Sequence, residues 1–321
     1  MNRPAVSVIM PVYNTDSFLG EAVSSVLNQT FKELEFIIVN DGSTDNSLKI
    51  LRVFEKSDSR VIVIDQQNSG SSVARQRALE LACGEFLYFM DSDDILDNTA
   101  LELCYNRAVK DSLDMVFFDA VSFSDDPGLN AKDFHYNRKG VVSEETYRGV
   151  DIMDLLLDKD LFRVAPWMHF FRRELVVENG IKFYPGIVHE DELFFSQLYF
   201  YAVRVGYIPE DLFKRRLRAN STMTASFSLK RINSYFTIVR EFEKTLKTMQ
   251  HLKPVIKKLI SNILSGVAYQ AGILNFKTRF YVFGFIVGNG YFGYVKPKSM
   301  TVLIFPDIIR IKSIIKPANK R

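Results

Sequence analysis

Short apolar runs alternate with amphipathic stretches over the first 125 residues. Val6-Ser7-Val8-Ile9-Met10 reads as a strand. Leu19, Val23, Val26 and Leu27 then share one helical stripe that Asp16 or Ser17 can cap. Phe36 to Val39 predicts a second strand, nearly all apolar, as in a parallel strand covered on both faces. A helix from Ser43 or Asp45 carries Leu48, Leu51 and Phe54, and Val61 to Ile64 forms a third strand. Ser71 or Ser72 opens a helix that stops near Cys83-Gly84. Phe86 to Met90 is a fourth strand, Asn98 or Thr99 starts another helix, and Met115 to Phe118 is a fifth strand. This alternation implies right-handed crossovers and an α/β fold with a doubly wound, mostly parallel sheet. Ligands of such sheets bind beyond the carboxyl ends of the strands.

The pattern changes further along. Residues 124–146 are polar and read as an irregular connection. His189-Glu190-Asp191-Glu192 precedes a helical pattern from Leu193 to Leu198, and Val205 to Ile208 reads as a strand leading to Lys214-Arg215-Arg216-Leu217-Arg218. One helix begins at Ser228 or Leu229 and carries Ile232, Phe236, Val239 and Phe242; a second runs from about Pro254 to Asn275. The expected division is an α/β domain over 1–225, with halves 1–123 and 124–225, and a mainly helical region over 226–321.

Composition narrows the class. Of 321 residues, 47% are hydrophobic and 25% charged, the balance of a globular protein. Cys83 and Cys104 have no CxxC spacing, which disfavours a disulfide framework or zinc site and suits a reducing compartment. No apolar run is long enough to span a membrane, and Met1 to Pro11 lacks a signal-peptide pattern, so the expected location is cytoplasmic. From Lys253 onward, twelve Lys or Arg face a single acid, Asp307, a net +11. The remaining 29 basic and 37 acidic residues give the rest of the chain −8. The basic region interleaves Phe280, Tyr281, Phe283, Phe285, Tyr291, Phe292 and Tyr294 with Lys277, Arg279, Lys296 and Lys298. Cations beside aromatic groups suit a membrane surface, with the solvated basic face of a helical subdomain as the alternative. No nucleic-acid-binding motif accompanies them, so no nucleic-acid partner is expected.

The strand ends carry the candidate chemistry. They run into Pro11-Val12-Tyr13-Asn14, Asn40-Asp41-Gly42-Ser43-Thr44-Asp45, Asn68-Ser69-Gly70-Ser71 and Asp91-Ser92-Asp93-Asp94. Neither GxGxxG nor GxxxxGK[ST] follows the first strand, which disfavours a dinucleotide site and a P-loop. In an extended Asp91-x-Asp93, both carboxylates point the same way and can hold Mg2+ or Mn2+ against phosphates. Asp-rich turns are also common helix caps.

In this order and spacing, with Ala74-Arg75 between the third and fourth segments, the set resembles family 2 glycosyltransferases. The likeness is close over about 5–125 and looser through Trp167, His189-Glu190-Asp191 and Arg218 to about Thr224. It implies the GT-A fold, a nucleotide-sugar donor, usually a UDP-sugar, and inversion at the sugar carbon. Asp41 would accept a hydrogen bond from the base, Tyr13 would lie against it, and Pro11 would shape the first loop. Asn68 would contact base or ribose, and Arg75 the nucleotide or its phosphates. Asp91 would bind ribose or a metal-bound water, with Ser92 beside it on the nucleotide-sugar side; Asp93 would be the direct ligand of Mn2+ or Mg2+. Asp191 would be the general base and Glu190 a sugar contact. Arg218 and Ser221 would touch the diphosphate. Family members usually read Ala-Arg-Asn where this chain has Ala74-Arg75-Gln76-Arg77, and Arg77 stands where part of that contact would be made. Trp167 suits stacking on a sugar or filling the core. His189 suits a metal ligand, a diphosphate contact or a structural role, and is left out of the metal set.

The resemblance implies an enzyme that moves a sugar from a UDP-sugar to a hydroxyl of a saccharide or lipid-linked acceptor, as in capsule, lipopolysaccharide or exopolysaccharide assembly. The basic region would place it on the inner membrane surface. A nucleotidyltransferase is an alternative, but Tyr13-Asn14-Thr15-Asp16 lacks its Gly-rich basic loop. A non-catalytic binder of nucleotide-sugar or membrane is another, against which Asp93 and Asp191 both stand.

Overall fold

Strands β1 (Val6–Val12), β2 (Leu34–Asp41), β3 (Val61–Gln66) and β4 (Phe86–Phe89) pair in parallel in the order β3-β2-β1-β4. This is a computed structural model, and it describes residues 3–126, 128, 136–218 and 227–306. Helices α1 (Asp16–Leu27), α2 (Ser47–Ser57), α3 (Ser71–Leu81) and α4 (Ala100–Lys110) connect or follow these strands. Val6, Val8 and Met10 pack with Leu19, Val23, Leu51 and Leu101 on one face of the sheet. Ile9 and Ile37 are buried on the other, where α3 lies against β1 and β2. Burial on both faces is why β1, β2 and β4 read as near-continuous apolar runs, whereas edge strand β3 leaves Ile62 exposed.

The sheet continues through β5 (Ile95–Leu96), β6 (Met115–Phe123), β7 (His169–Arg172) and β8 (Val205–Arg216), in the full order β3-β2-β1-β4-β7-β6-β8-β5. Sequence periodicity misses β7. It is four residues long and runs antiparallel to both β4 and β6, between them. Strand β8 also runs eight residues beyond Ile208, so Lys214 to Arg216 is strand rather than loop. A register shift around Asp119 lets it follow β6 that far. Helices α5 (Gly149–Asp158), α6 (Arg173–Glu178) and α7 (Glu190–Tyr201) complete this part. Trp167 stacks flat on Phe213, centroids 4.3 Å apart, inside the core. Its role is packing, and the sugar-stacking option closes.

A buried ion pair pins the connection that the sequence shows only as polar. Arg138 Nη1 meets Asp119 Oδ1 at 3.2 Å, and the Tyr207 hydroxyl donates to Asp119 Oδ2 at 2.6 Å. Removing one partner strands the other charge in the interior. Arg138→Ala is therefore expected to cost about 3–5 kcal/mol, read as a lower urea midpoint. A midpoint within error of the parent would show the pair to be dispensable.

The chain divides by contacts into two units, Met1–Gly186 with Glu190–Ala225, and Ile187–His189 with Ser226–Arg321. The second is built from α8 (Leu229–Thr248), α9 (Lys253–Ala271), α10 (Phe276–Gly288) and α11 (Pro297–Ile304). Ser228 caps α8, and Asn275 caps α10 by accepting from Thr278 N at 3.0 Å. Phe236 and Phe285 stack with centroids 3.5 Å apart. Within the described part of the basic region, Phe285 and Tyr291 are core residues of this unit. Among the described residues, no helix is long and apolar enough to cross a membrane.

Candidate active site

The ends of β1 and β2 are knitted together by side chains. Asn14 sits at φ 51°, a left-handed conformation that Asn tolerates. Its Oδ1 accepts from Thr44 N at 2.8 Å, and its own N–H donates to Ser43 Oγ at 3.1 Å. Asp45 accepts from Asp16 N at 3.0 Å and Ser47 N at 2.9 Å. Helix α2 therefore starts at Ser47, later than Ser43 or Asp45. Pro11 lies within β1 opposite Val39. Tyr13 beyond it is 50% exposed, leaving ring surface open for a flat partner.

Asp41 is buried at the end of β2. Its Oδ1 accepts from Gln66 Nε2 and Ser69 N, and its Oδ2 from Gly70 N, each at 2.8 Å. A carboxylate offers about four acceptor positions. Asp41 thus shapes the loop after β3 and keeps capacity for one further donor. Arg77 extends this network by donating to Gln66 Oε1 at 3.2 Å. Asn68 is exposed on that loop and lies over Gly42, which has φ +69°. A Cβ on Gly42 would stand 2.6 Å from Asn68 N. Gly42→Ala is therefore expected to displace the Asn68 loop and weaken UDP binding about tenfold or more, measured by calorimetry. Unchanged affinity would separate this loop from the nucleotide.

The Asp91-Ser92-Asp93-Asp94 segment follows β4. Ser92 turns inward, where its Oγ accepts from Thr15 Oγ1 at 3.0 Å, so it braces α1. Asp94 is also buried and accepts from Arg216 N at 2.6 Å. Burial, then the charges of Asp93 and Asp91, push its carboxyl well above the usual range. Asp93 Oδ2 accepts from Arg218 Nε at 2.6 Å, placing Arg218 against the acidic motif. Arg216 pairs with Glu21 and Asp125, donates to the Asp93 carbonyl at 2.9 Å, and lies over the Phe18 and Phe123 rings. The end of β8 is thereby strapped to the Asp-rich turn. Ser221 lies outside the described residues.

One guanidinium joins the two acidic motifs. Arg75, its side chain 10% exposed, donates through Nη2 to Asp91 Oδ1 and through Nη1 to Glu190 Oε1, each at 2.8 Å. Ser71 Oγ also donates to Glu190 Oε1, at 2.7 Å. Glu190 is consequently locked in place at the start of α7. Asp191 is next to it, its Oδ1 accepting from Glu192 N at 3.2 Å. Burial pushes the Asp191 carboxyl well above the usual range; Glu190 and Glu192 add to the rise, and Arg75 opposes it. Glu192 is pushed up by burial to about 7, with Arg163 pulling the other way. His189, at φ 66°, stacks on Tyr235 in the helical unit with centroids 4.8 Å apart.

Asp91 and Asp93 offer hard carboxylate oxygens, which suit Mg2+ or Mn2+. No cluster of three or more His, Cys, Asp or Glu fit for a metal occurs among the described residues. The donor set therefore fits a cation that arrives with phosphate or water ligands of its own.

Residues 7–180, more than half of the chain, match glycosyl transferase family 2. The chain belongs to this family. It is 33% identical over 216 residues to the uncharacterized glycosyltransferase YibD of Escherichia coli, covering 67% of this chain and 62% of that protein. It is 31% identical over 205 residues to a poly(ribitol-phosphate) beta-glucosyltransferase of Bacillus spizizenii, covering 62% of this chain and 30% of that protein. The chain thus spans under two thirds of the first and under a third of the second. The crystal structure of Staphylococcus aureus TarS 1–349 with UDP-GlcNAc superposes with a TM-score of 0.73 at 20% identity, over 92% of this chain and 83% of that one. The expected GT-A architecture with a helical C-terminal region is the one present. Arg75, Asp91 and Glu190 of the expected set meet directly, as do Arg218 and Asp93. Ser71, Gln66, Asp94 and Arg216 join them without having been assigned a site role; Ser71, Asp94 and Arg216 lay within segments the sequence marked, and Gln66 carried no signal.

Proposed function

We propose that this family 2 member transfers a sugar, with inversion, from a UDP-sugar to a hydroxyl of a saccharide or lipid-linked acceptor in cell-surface polysaccharide synthesis. The observation that carries this reading is Arg75, which joins the Asp-rich turn to the start of α7. It ties the donor side to Glu190, next to the Asp191 carboxylate suited to activate an acceptor. The TarS likeness to a UDP-GlcNAc complex and the relative that glucosylates poly(ribitol-phosphate) support the donor and acceptor classes.

Inversion needs one displacement. The acceptor oxygen attacks the sugar carbon, its proton passes to the Asp191 carboxylate, and the carbon–oxygen bond to the diphosphate breaks so that UDP leaves. The raised pKa of Asp191 makes it a stronger base than an ordinary aspartate once ionised. Asp41 would receive a base N–H, Tyr13 would cover the ring, and Pro11 and Asn68 would shape and line that pocket. Arg218 would move from Asp93 to the diphosphate, and Ser221 is assigned the same target. Mn2+ or Mg2+, held by Asp93 with Asp91 beside it, would supply charge neutralisation at the departing diphosphate. Glu190, held by Arg75 and Ser71, would contact the sugar, and Ser92 would brace the nucleotide-sugar side from within. The basic C-terminal region is read as contact with the cytoplasmic face of a membrane, beside a lipid-linked acceptor.

A panel of UDP-sugars, screened for thermal stabilisation and hydrolysis with and without Mn2+, tests the reading. One UDP-sugar should stabilise and turn over, and Asp93→Ala should weaken Mn2+-dependent UDP binding about tenfold or more. Equal UDP affinity with and without Mn2+ would remove the metal; no response to any UDP-sugar would remove the donor class.

A further inference from the structure

Helix α10 carries two apolar stripes. Val282, Phe285 and Ile286 are buried in the helical unit. Phe276, Phe280, Phe283 and Val287 recur at i, i+4, i+7 and i+11 and so share a different face. On that face Phe276 is 72% exposed and Phe280 65%, and their rings stack with centroids 6.2 Å apart. Ile273, just ahead of the helix, is exposed as well. Arg279 extends the patch by donating to the carbonyls of Leu303 at 2.8 Å and Ile304 at 2.6 Å. This holds exposed Ile304 and Phe305, at the end of α11, beside α10. A folded unit that leaves this many large apolar groups together in water has a surface to cover.

The charge around the patch selects the partner. Residues 253–306 hold seven Lys or Arg and no Asp or Glu. Lys277 on α10, and Lys296 and Lys298 at the start of α11, are exposed. Lys298 lies 5.8 Å from the Tyr269 ring and Lys257 5.8 Å from the Tyr294 ring, so cations sit over aromatic faces. Aromatic groups on one face with lysines around them suit the boundary between anionic headgroups and acyl chains. A purely electrostatic contact would need no exposed Phe ridge, and a dry protein interface would not need seven unbalanced cations.

We propose that the Phe276/Phe280/Phe283/Val287 face of α10, with Ile304 and Phe305, inserts into an anionic lipid surface. This deepens, and rests on, the membrane contact assigned above to the basic region. It also replaces that region's aromatic list with a specific ridge, since Phe285 and Tyr291 face inward.

The test is co-sedimentation of the full chain with vesicles of phosphatidylcholine alone and with added phosphatidylglycerol, comparing the parent with Phe276→Ser/Phe280→Ser. The parent should bind the anionic vesicles and much less the neutral ones. The double variant should lose about tenfold or more of that binding, while keeping its melting temperature and UDP-sugar hydrolysis. Both substituted rings are exposed, so the fold should survive; if the double variant melts early, Lys277→Glu/Lys296→Glu should lower anionic-vesicle binding alone. The proposal is overturned if the parent stays in solution with anionic vesicles, or if both variants bind as the parent does. It is also overturned if the parent is a dimer that the double variant breaks, which would make the ridge a self-contact. Vesicle binding without any UDP response would keep the surface and remove the sugar-transfer reading, so the two failures are distinct.

Discussion

Asp191→Asn is expected to abolish sugar transfer while leaving UDP binding unchanged. The amide fills the same space and cannot take the acceptor proton. Loss of a positioned general base costs about 10²–10⁴ in rate. The same substitution should stabilise the protein. The folded-state pKa of Asp191 is raised, so folding favours its protonated form. Between the unfolded value of about 3.9 and the raised folded value, the native state binds the extra proton, and stability falls as pH rises. Above that window the penalty is fully present. Asn removes it, so the melting temperature of the variant should exceed the parent's at pH 8 and match it at pH 4. In the parent, the same titration sets the acid limb of kcat/KM, with activity rising as Asp191 ionises. Glu192, pushed up to about 7, adds a second titration close by. Steady-state rates, calorimetry with UDP and melting curves at the two pH values check these points. Retained transfer, or a variant that no longer binds UDP, would show Asp191 to be structural.

Strands β1, β2 and β4 announce themselves because both faces are covered, which leaves Phe36 to Val39 and Phe86 to Met90 no room for polar alternation. Strand β7 has no such signature: His169 to Arg172 is short, and the partners that bury it are β4 and β6. The sequence pattern ends β8 at Ile208, short of its basic end, for a related reason. Arg216 is buried only because Glu21, Asp125 and the Asp93 carbonyl, all far away in sequence, surround it. The candidate site divides in the same way. Tyr13, Asp41 and the Asp-rich turn follow strand ends, so topology alone gathers them. The inward turn of Ser92 and the locking of Glu190 by Ser71 and Arg75 depend on contacts up to 119 residues apart, to which no local pattern points.

Arg75 is the second position where a large effect is expected. The family resemblance implies that it contacts the nucleotide or its phosphates; in the fold it is buried between Asp91 and Glu190. Arg75→Met would leave Glu190 inside without its partner, at about 3–5 kcal/mol in stability. It would also remove the one nearby charge that opposes the rise of the Asp191 carboxyl. The acid limb of kcat/KM should then move to higher pH in whatever fraction folds. Arg75→Lys should rescue little, because a single ammonium cannot span two carboxylates in the way a planar guanidinium does. Arg75→Met/Glu190→Gln separates the roles. With no charge left stranded at Glu190, much of the stability should return. Transfer should remain impaired, because nothing then ties the Asp-rich turn to α7. Urea midpoints and pH–rate profiles of the three variants decide it. If the double variant transfers sugar at the parent's rate with the parent's pH profile, the Arg75 bridge merely holds the fold, and the chemistry assigned around it would have to be sought elsewhere on the sheet edge.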